Sequence, residues 1–408
     1  MIQIYPSIDQ KLKCPICIQE TKATKIVWQG IHVGVESTCK VCQRRFFQDL
    51  HVGHSTSKPC SVDLDSFQLF CDNDPKGWYS EPLRESIKSP SNKHLDFKKE
   101  IYSASDKVII LNCIDYLYGH SLLKLLNAER HLKNHPDYGL IVIVPKYLEW
   151  MTPKGIAEKW IFDIPLKEGK EYFIDFNEKI QNELQRFSTV CLSKACAHPS
   201  DFDITNFTGV KKHDFQKDEF RISFIWREDR TWINSLVLNK GINKSKNNIL
   251  KNILLNWQKR KIVKLFSGLR KTFPNAKYTV AGISKPEKFP SWIDNQIVQK
   301  LDENLEKKLC NVYSESRVII GVHGSNILLP SAHAGMTIDL MPEDRWGNFA
   351  QDILYQEKDA RISSFRYRYV PINQKVKSLC KIVICMIQNR NGFYENMSET
   401  IFTNVDQF

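Results

Sequence analysis

The sequence lacks a long hydrophobic run and an apolar leader. The longest continuous apolar candidate, residues 140–144, has the length of a strand, whereas a membrane-spanning helix needs about 20 apolar residues. The N-terminus has no basic start followed by an apolar core, so no secretory signal is predicted. These absences predict a cytoplasmic protein that touches a membrane at its surface at most.

Internal repeats and low-complexity tracts are also absent. Hydrophobic residues make up 42% of the chain and charged residues 25%, which are globular proportions and exclude fibrous or wholly disordered classes. A length of 408 residues predicts about two or three domains with real cores.

Acidic residues are missing from one segment, residues 231–286. This segment holds twelve Lys and Arg residues, which equals the net charge of +12 of the whole chain. A basic segment favours attraction of an anionic donor, docking to an anionic membrane or polymer, or a merely solvated helix face. We leave these three interpretations open at this point.

Four cysteines form two Cys-x2-Cys pairs, Cys14 with Cys17 and Cys39 with Cys42. Such pairs are typical of a zinc ribbon, in which four thiolates close a tetrahedron and leave no open position, so the zinc is structural. Short strands are predicted at 24–28 and 31–35 between the pairs. The other eight cysteines show no second paired spacing, although His51, His54 and Cys60 could compete as ligands.

Basic and aromatic residues flank the second cysteine pair: Lys40, Arg44, Arg45, Phe46 and Phe47. This edge, together with the basic segment, is the basis of an alternative function, a nucleic-acid-binding zinc-ribbon protein with an α/β scaffold. The excess charge does not lie in the ribbon, so a nucleic-acid partner is not favoured.

The remaining chain alternates strands and helices, which predicts α/β architecture with parallel sheets. We predict a zinc ribbon at 1–60, a connector at 61–106, a Rossmann-like domain at 107–215, a second one at 216–390, and a tail at 391–408. Predicted strands are 108–111, 140–144, 189–192, 220–226, 277–281, 318–322 and 336–340, and predicted helices are 121–132, 173–186, 248–273 and 301–314. Two such domains would enclose a cleft.

The most informative motif follows the predicted strand 318–322. The turn His323-Gly324-Ser325-Asn326 leads from this strand into a predicted helix. Backbone N–H groups at a helix start attract phosphate, and the missing side chain of Gly324 lets a ligand approach the backbone. The turn therefore predicts an anion site.

Two segments resemble family 61-type glycosyltransferases. Gly321-Val322-His323-Gly324-Ser325-Asn326 is similar to the donor-site turn of that family, and Tyr118-Gly119-His120-Ser121-Leu122-Leu123 is similar to its Tyr/Phe-x-His-x-Leu-Leu segment. The resemblance covers residues 107–340, and Ser325-Asn326 replaces a more usual small-apolar pair. It implies the GT-B-type fold of two facing Rossmann-like domains, with a nucleotide-sugar as co-substrate.

Further site residues follow from position and chemistry. Arg227 and Arg230 follow a buried strand and can neutralise a diphosphate, with Asp229 orienting an arginine or serving as a base. His120 is predicted to be the general base or else to cap its helix, His323 to bind phosphate, and Glu343 to reach a sugar hydroxyl. Asp201-Phe202-Asp203 has the Asp-x-Asp form of a metal site but follows a loop, so we predict no catalytic divalent metal.

These expectations combine into one predicted function. The protein is predicted to be a hexosyl- or pentosyltransferase that moves a sugar from a nucleotide-sugar to a hydroxyl of a glycan, a lipid-linked glycan or a protein. Zn²⁺ is the predicted structural cofactor of its ribbon.

Overall fold

The computed structural model describes residues 1–72, 74, 77–195, 199, 201–233, 248–285, 287–300, 302–350, 353–354, 357 and 359–397, with the backbone alone at 248–250. The chain divides into two compact units, Met1–Phe207 and Thr208–Phe408. Each unit carries its own sheet of six strands, and the first unit carries a third sheet as well. The protein is thus a mixed α/β protein with several sheets.

Eleven strands belong to the first unit. They are β1 (Ile2–Tyr5), β2 (Thr21–Trp28), β3 (Val33–Cys39), β4 (Arg45–Asp49), β5 (Ser61–Asp63), β6 (Leu69–Phe70), β7 (Phe97–Ile101), β8 (Lys107–Asn112), β9 (Gly139–Pro145), β10 (Glu158–Phe162) and β11 (Thr189–Leu192). Its helices are α1 (Ser80–Lys88), α2 (Tyr118–Leu125), α3 (Ala128–Asn134) and α4 (Ile174–Leu184), and α5 (Ile204–Thr208) lies at the unit boundary.

One sheet of this unit has the order β1-β11-β8-β9-β10-β7. Strands β11, β8, β9 and β10 are parallel, and the edge strands β1 and β7 are antiparallel to their neighbours. The predicted strands at 108–111, 140–144 and 189–192 are confirmed. The prediction of one helix over 121–132 is wrong: Asn127 Nδ2 donates to the carbonyls of Leu123 and Lys124, and α2 ends there.

The other sheet of this unit is antiparallel, in the order β2-β3-β4-β5-β6, and carries the cysteine pairs. This sheet continues past residue 60, since it includes β5 and β6. Both strands lie in the predicted connector, 61–106, as do α1 and β7. It is tied to the α/β part of the unit by the Trp28 N–H, which donates to Asn177 Oδ1 at 3.0 Å, and by Asn112 Nδ2, which donates to the Gly30 carbonyl at 2.8 Å. The cysteine-bearing sheet is therefore packed into its unit.

Six strands form the sheet of the second unit. They are β12 (Arg221–Trp226), β13 (Lys277–Ile283), β14 (Ile293–Val298), β15 (Ser316–Val322), β16 (Met336–Met341) and β17 (Tyr367–Pro371). The helices are α6 (Asn248–Arg270), α7 (Glu303–Glu315), α8 (Leu328–His333), α9 (Ala360–Arg366), α10 (Val376–Gln388) and α11 (Arg390–Met397). All neighbouring strands are parallel, in the order β14-β13-β12-β15-β16-β17.

This order, counted from the first strand of the unit, is 3-2-1-4-5-6, which is that of doubly wound α/β sheets. The central strands are continuous apolar runs because helices cover both faces of such a sheet. The helical spacing of Ile253, Leu254 and Trp257 predicts one apolar face for α6, which is partly wrong: Ile253 and Trp257 are exposed, and Leu255 and Gln258 are buried instead. In the described part of the chain, no helix is long and apolar enough to span a membrane.

Candidate functional site

In the sheet of the second unit, the direction of the strand order reverses between β12 and β15. Ligands of open α/β sheets bind at such a point, outside the carboxyl ends of the two strands. Arg227 follows the last residue of β12, and His323 follows the last residue of β15. The sheet therefore brings together two segments that lie almost 100 residues apart in the chain.

Two guanidinium groups converge on the turn after β15. Arg227 Nη1 donates to the His323 carbonyl at 3.2 Å and to Asn326 Oδ1 at 2.7 Å, and Arg230 Nη1 donates to the same carbonyl. Asn326 Nδ2 is buried and has no hydrogen-bond partner among the residues that the structure describes. The predicted residues Arg227, Arg230, Gly324 and Asn326 thus meet in one place.

Gly324 is required at this place for two reasons. Its φ is +137°, in a region that side chains with a Cβ rarely adopt, and a Cβ there would lie 2.6 Å from Arg227 Nη1 and 2.8 Å from Arg230 Nη1. The missing side chain leaves the space that the two guanidinium groups occupy.

Asp229 orients one of the arginines. Its carboxylate accepts from Arg227 Nε at 2.8 Å and from Arg227 Nη2 at 2.5 Å. This geometry corresponds to the orienting role, one of the two roles predicted for Asp229. The neighbouring Glu228 pairs with Lys251 at 2.5 Å and accepts from the Ser284 hydroxyl.

The arginine charges of this cluster repel one another, and Asp229 and Asp344 offset part of that repulsion. Burial, then the charges of Arg227 and Arg345, lower the pKa of Arg230 to about 10. Although burial opposes it, the bond from Arg227 lowers the pKa of Asp229, which keeps this carboxylate ionised. A bound anion would relieve the repulsion between the guanidinium groups.

The helix after the turn is short. Residues Ser325–Ile327 form a 3-10 turn, and α8 has only six residues, with Pro330 inside it. So short a helix has only a small dipole. The anion-binding contribution predicted for the helix start is therefore assigned to the arginine side chains instead.

His323 enters the cluster through its carbonyl group. Its imidazole is buried, with Nδ1 2.8 Å from Asp339 Oδ2, and the Tyr367 hydroxyl donates to the same oxygen at 2.7 Å. Both partners lie on neighbouring strands, β16 and β17. The side chain predicted to bind phosphate is thus fixed against the sheet.

Aromatic side chains lie beside His323. The ring of Tyr369 is 6.3 Å from that of His323, 6.4 Å from that of Trp346 and 6.2 Å from that of Phe349. Trp346 and Phe349 are exposed, 43% and 60% respectively. Glu343, predicted to reach a sugar hydroxyl, is exposed at the start of the 3-10 helix Glu343–Asn348 that carries Trp346.

An open cavity of about 480 Å³ adjoins the arginine cluster. It lies at the carboxyl ends of β12, β13 and β14, and its lining includes Asp229, Lys251, Ser284 and Gln299. This volume lies in the range of small-molecule sites.

A second cluster surrounds Asp115 in the first unit. The buried carboxylate lies 3.0 Å from His54 Nε2, 3.0 Å from Lys124 Nζ and 3.4 Å from His120 Nδ1. His120 was predicted as a base, whereas Asp115 was not predicted and His54 was named only as a competing metal ligand. The position of Asp115 just after strand β8 was the available signal.

The protonation states in this cluster are set by burial and charge. Burial lowers the pKa of His54 to about 4, so its imidazole is neutral at pH 7. Burial opposes the ionisation of Asp115, but the ammonium of Lys124 and the hydrogen bonds from His120 and His54 hold its pKa well below the usual range. The cluster therefore contains one carboxylate, one ammonium and two imidazoles.

The four predicted zinc ligands also come together. The Sγ atoms of Cys14, Cys17, Cys39 and Cys42 lie within 4.8 Å of one another, with Cys14 3.6 Å from Cys42 and Cys17 3.4 Å from Cys39. Zn–S bonds of about 2.3 Å in a tetrahedron place sulfur atoms about 3.8 Å apart, so the four thiols fit Zn²⁺. The N–H of Cys42, assisted by that of Val41 and opposed by burial, lowers the pKa of the Cys39 thiol to about 6.

The basic and aromatic edge beside the cysteines is corrected. Phe46 and Phe47 are buried, and Arg44 and Arg45 pair with Asp63 and Asp65 at 3.2 Å and 2.5 Å. Strand β5 pairs with β4 and supplies Asp63, and Asp65 lies just after the end of β5.

The Asp-x-Asp triplet serves local structure. Asp201 pairs with Lys133 at 3.0 Å, and Asp203 Oδ1 accepts the N–H of Thr205 at the start of α5.

The basic segment is only partly described, since residues 234–247 and 286 lie outside the described residues. Within α6, Lys261 lies over the rings of Trp257 and Trp232, at 4.1 Å and 5.0 Å, and burial lowers its pKa to about 8.

No protein-family model and no curated protein matches this chain. Among solved structures, the chain is similar to one described as "Glycosylation Associate Protein (Gap123) complex from Streptococcus agalactiae", with a TM-score of 0.31 and 9% identity. The match covers 95% of this chain and 77% of the other. A similarity at this TM-score supports no argument about fold or function.

Proposed function

We propose that this protein is a glycosyltransferase that moves a hexosyl or pentosyl group from a nucleotide-sugar to a hydroxyl of a glycan, a lipid-linked glycan or a protein. The observation that carries the proposal is the convergence of Arg227 and Arg230 on Gly324 at the reversal point of a parallel sheet. A nucleoside diphosphate is the leaving group of such a transfer, and stabilising its charge is the main electrostatic requirement.

On the donor side, the two guanidinium groups and the Asn326 amide bind the diphosphate. The cavity beside Asp229 and the exposed rings of Trp346 and Phe349 offer room and stacking surface for the rest of the donor. The arginines supply the positive charge that a divalent cation supplies in metal-dependent transferases, so the proposed chemistry needs no catalytic metal.

On the acceptor side, His120 is the proposed general base. The acceptor hydroxyl loses its proton to His120 as its oxygen forms a bond to the anomeric carbon of the sugar. The bond between that carbon and the diphosphate oxygen breaks, and the electron pair leaves with the diphosphate. This assignment gives acceptor binding to the first unit and donor binding to the second unit.

Binding of nucleotides tests the donor side. Thermal unfolding is followed with pyrophosphate, UDP, GDP and CMP, and a ligand at 100 times its Kd is expected to stabilise the folded chain by about 2.7 kcal/mol. Arg230→Ala should abolish the effect. Arg361→Ala is the matched control, because Arg361 is an exposed arginine that pairs with Asp359 at 2.7 Å in the same unit.

Stabilisation by a diphosphate that survives Arg230→Ala would show that the ligand binds elsewhere. The absence of stabilisation by every nucleotide would contradict the proposed donor site.

A further inference from the structure

The cluster around Asp115 contains more than the predicted base. His54 belongs to a 3-10 helix, Gly53–Thr56, that connects strands β4 and β5 of the cysteine-bearing sheet, whereas Asp115 and His120 belong to the α/β part of the unit. The two imidazole rings have centroids 4.6 Å apart and share one carboxylate. The cysteine-bearing sheet and the α/β part of the first unit thus meet at one buried carboxylate, that of Asp115.

His54 is held firmly in this place. The N–H of Gly53 donates to the carbonyl of Lys194 at 2.6 Å, in the loop after β11, and the Ser55 hydroxyl donates to the Leu50 carbonyl at 2.6 Å. The ring of Trp78 packs edge-on against His54 at 5.1 Å and tilted against His120 at 5.8 Å. A side chain held in this way can in turn fix the orientation of its neighbours, Asp115 and His120.

Asp115 has a distinct partner on each oxygen. Oδ2 accepts from His54 Nε2 and faces Lys124 Nζ, while Oδ1 accepts from the Leu117 N–H at 3.1 Å and faces His120 Nδ1 at 3.4 Å. Among the described residues, His120 Nδ1 is buried and makes no hydrogen bond, and the carboxylate that faces it is Asp115, with Oδ1 at 3.4 Å. Asp115 is thus placed to favour a proton on Nδ1 of His120, which leaves Nε2 to exchange protons with a ligand.

A divalent cation fits the cluster poorly. Lys124 is buried, and its ammonium already lies against the carboxylate and donates to the Ile114 carbonyl at 2.8 Å. A cation held by the two imidazoles and the carboxylate would face this ammonium across a few ångströms. The charges favour a proton site over a metal site.

We propose that His54 is a positioning residue for His120, acting through Asp115, and that the cysteine-bearing sheet is for this reason a working part of the proton-accepting site. His54 supplies a neutral N–H that fixes the carboxylate, and the carboxylate fixes the imidazole of His120. The chemical role of His120 rests on the proposed function, whereas the coupling of the three side chains does not.

The coupling is tested without any sugar donor, by the reaction of single histidines with diethyl pyrocarbonate. Modification is followed by mass spectrometry as a function of pH, and the midpoint for His120 is measured in each variant. The charged and titratable groups that the described residues bring to this cluster are Asp115, His54 and Lys124, with the Tyr147 hydroxyl at the neighbouring Ser121.

His54→Leu removes the donor that fixes Asp115, so the carboxylate loses its position and interacts less with His120. The midpoint of His120 should fall by roughly 0.5–1 pH unit, the size of one ordinary hydrogen bond. Asp115→Asn should lower it, and His54→Gln, which keeps an N–H donor, should leave it near that of the wild type. His94 is the matched control, since it is an exposed histidine that lies 3.4 Å from a carboxylate, that of Asp175.

An unchanged His120 midpoint in a folded His54→Leu chain would overturn the proposal. A second equivalent of Zn²⁺, bound by the wild type and lost in both His54→Gln and His120→Gln, would also overturn it in favour of a metal site. Neither result depends on Arg230, so failure here is distinguishable from failure of the donor site.

Discussion

Asp229 binds the guanidinium of Arg227 at two points, Oδ1 to Nε at 2.8 Å and Oδ2 to Nη2 at 2.5 Å. This leaves Nη1 of Arg227 directed at the turn after β15, where it meets Asn326 and the carbonyl of His323. The arginine is thus oriented before any ligand arrives. Such preorganisation is what makes electrostatic stabilisation effective.

Arg227→Lys should weaken diphosphate binding although the charge is kept. A lysine cannot bind Asp229 at two points and also reach the turn, so the Kd for a nucleoside diphosphate should rise about tenfold. Arg361→Lys is the control, because Arg361 binds Asp359 through the same pair of atoms, at 3.2 Å and 2.7 Å. Equal affinity of Arg227→Lys and wild type in calorimetry would remove Arg227 from the donor site.

Gly324→Ala should damage the same site. The added Cβ would strain a φ of +137° and collide with both guanidinium groups, which costs about 1–3 kcal/mol of unfolding free energy. It should also displace the arginines and weaken nucleotide binding. Gly392→Ala serves as the control, because a Cβ at Gly392 would meet nothing within 4 Å. Chemical unfolding and nucleotide titration check both effects, and wild-type values for Gly324→Ala would contradict the geometry.

Stability should fall as the pH is lowered from about 6.5 to 4. Burial lowers the pKa of His131 to about 4, and the residue is 4% exposed, whereas an unfolded histidine titrates near 6.5. Protons therefore bind the unfolded chain first in this window. The stabilisation is complete above pH 6.5 and is lost as the pH falls, by up to about 1.4 kcal/mol per pH unit.

His131→Gln should flatten this pH dependence, measured as the denaturant midpoint at pH 7 and pH 4.5. A variant as acid-sensitive as the wild type would show that His131 does not titrate in this way.

Zinc binding should depend on the four paired cysteines. The purified chain should contain one zinc, and Cys14→Ser should lower this content and destabilise the sheet β2-β6, because the metal stabilises a module with a small core. Cys385→Ser is the control, since Cys385 is exposed and lies in α10, away from the cysteine cluster in sequence. Metal analysis of the three chains decides the matter, and full zinc content in Cys14→Ser would exclude this site.

The residues of the arginine cluster can be located from the sequence because they follow strands. Buried parallel strands are rich in apolar residues, so the sequence predicts strands at 220–226 and 318–322, where β12 and β15 lie. The carboxyl ends of these strands mark the positions of Arg227 and Gly324. The contact between these ends follows from the strand order, which short motifs do not encode. The short length of α8 was also not visible, because Pro330 is compatible with a helix start.

The cluster around Asp115, by contrast, could be predicted only in part. His120 stands out within a motif, but His54 precedes Asp115 by 61 residues and meets it only through tertiary packing. No spacing rule links a 3-10 helix between two antiparallel strands to a loop after a parallel strand. The pairings of β1 with β11 and of β4 with β5 were not predicted either, because no spacing rule in the sequence marks them.

The most direct test of the central claim is the release of nucleoside diphosphate from a panel of nucleotide-sugars, with and without candidate hydroxyl acceptors. The account predicts release from at least one donor by the wild type, stimulation by an acceptor, and loss of release in Arg230→Ala and in His120→Gln. The contradicting result is no binding and no turnover of any nucleotide-sugar, together with oligonucleotide binding that falls steeply with salt.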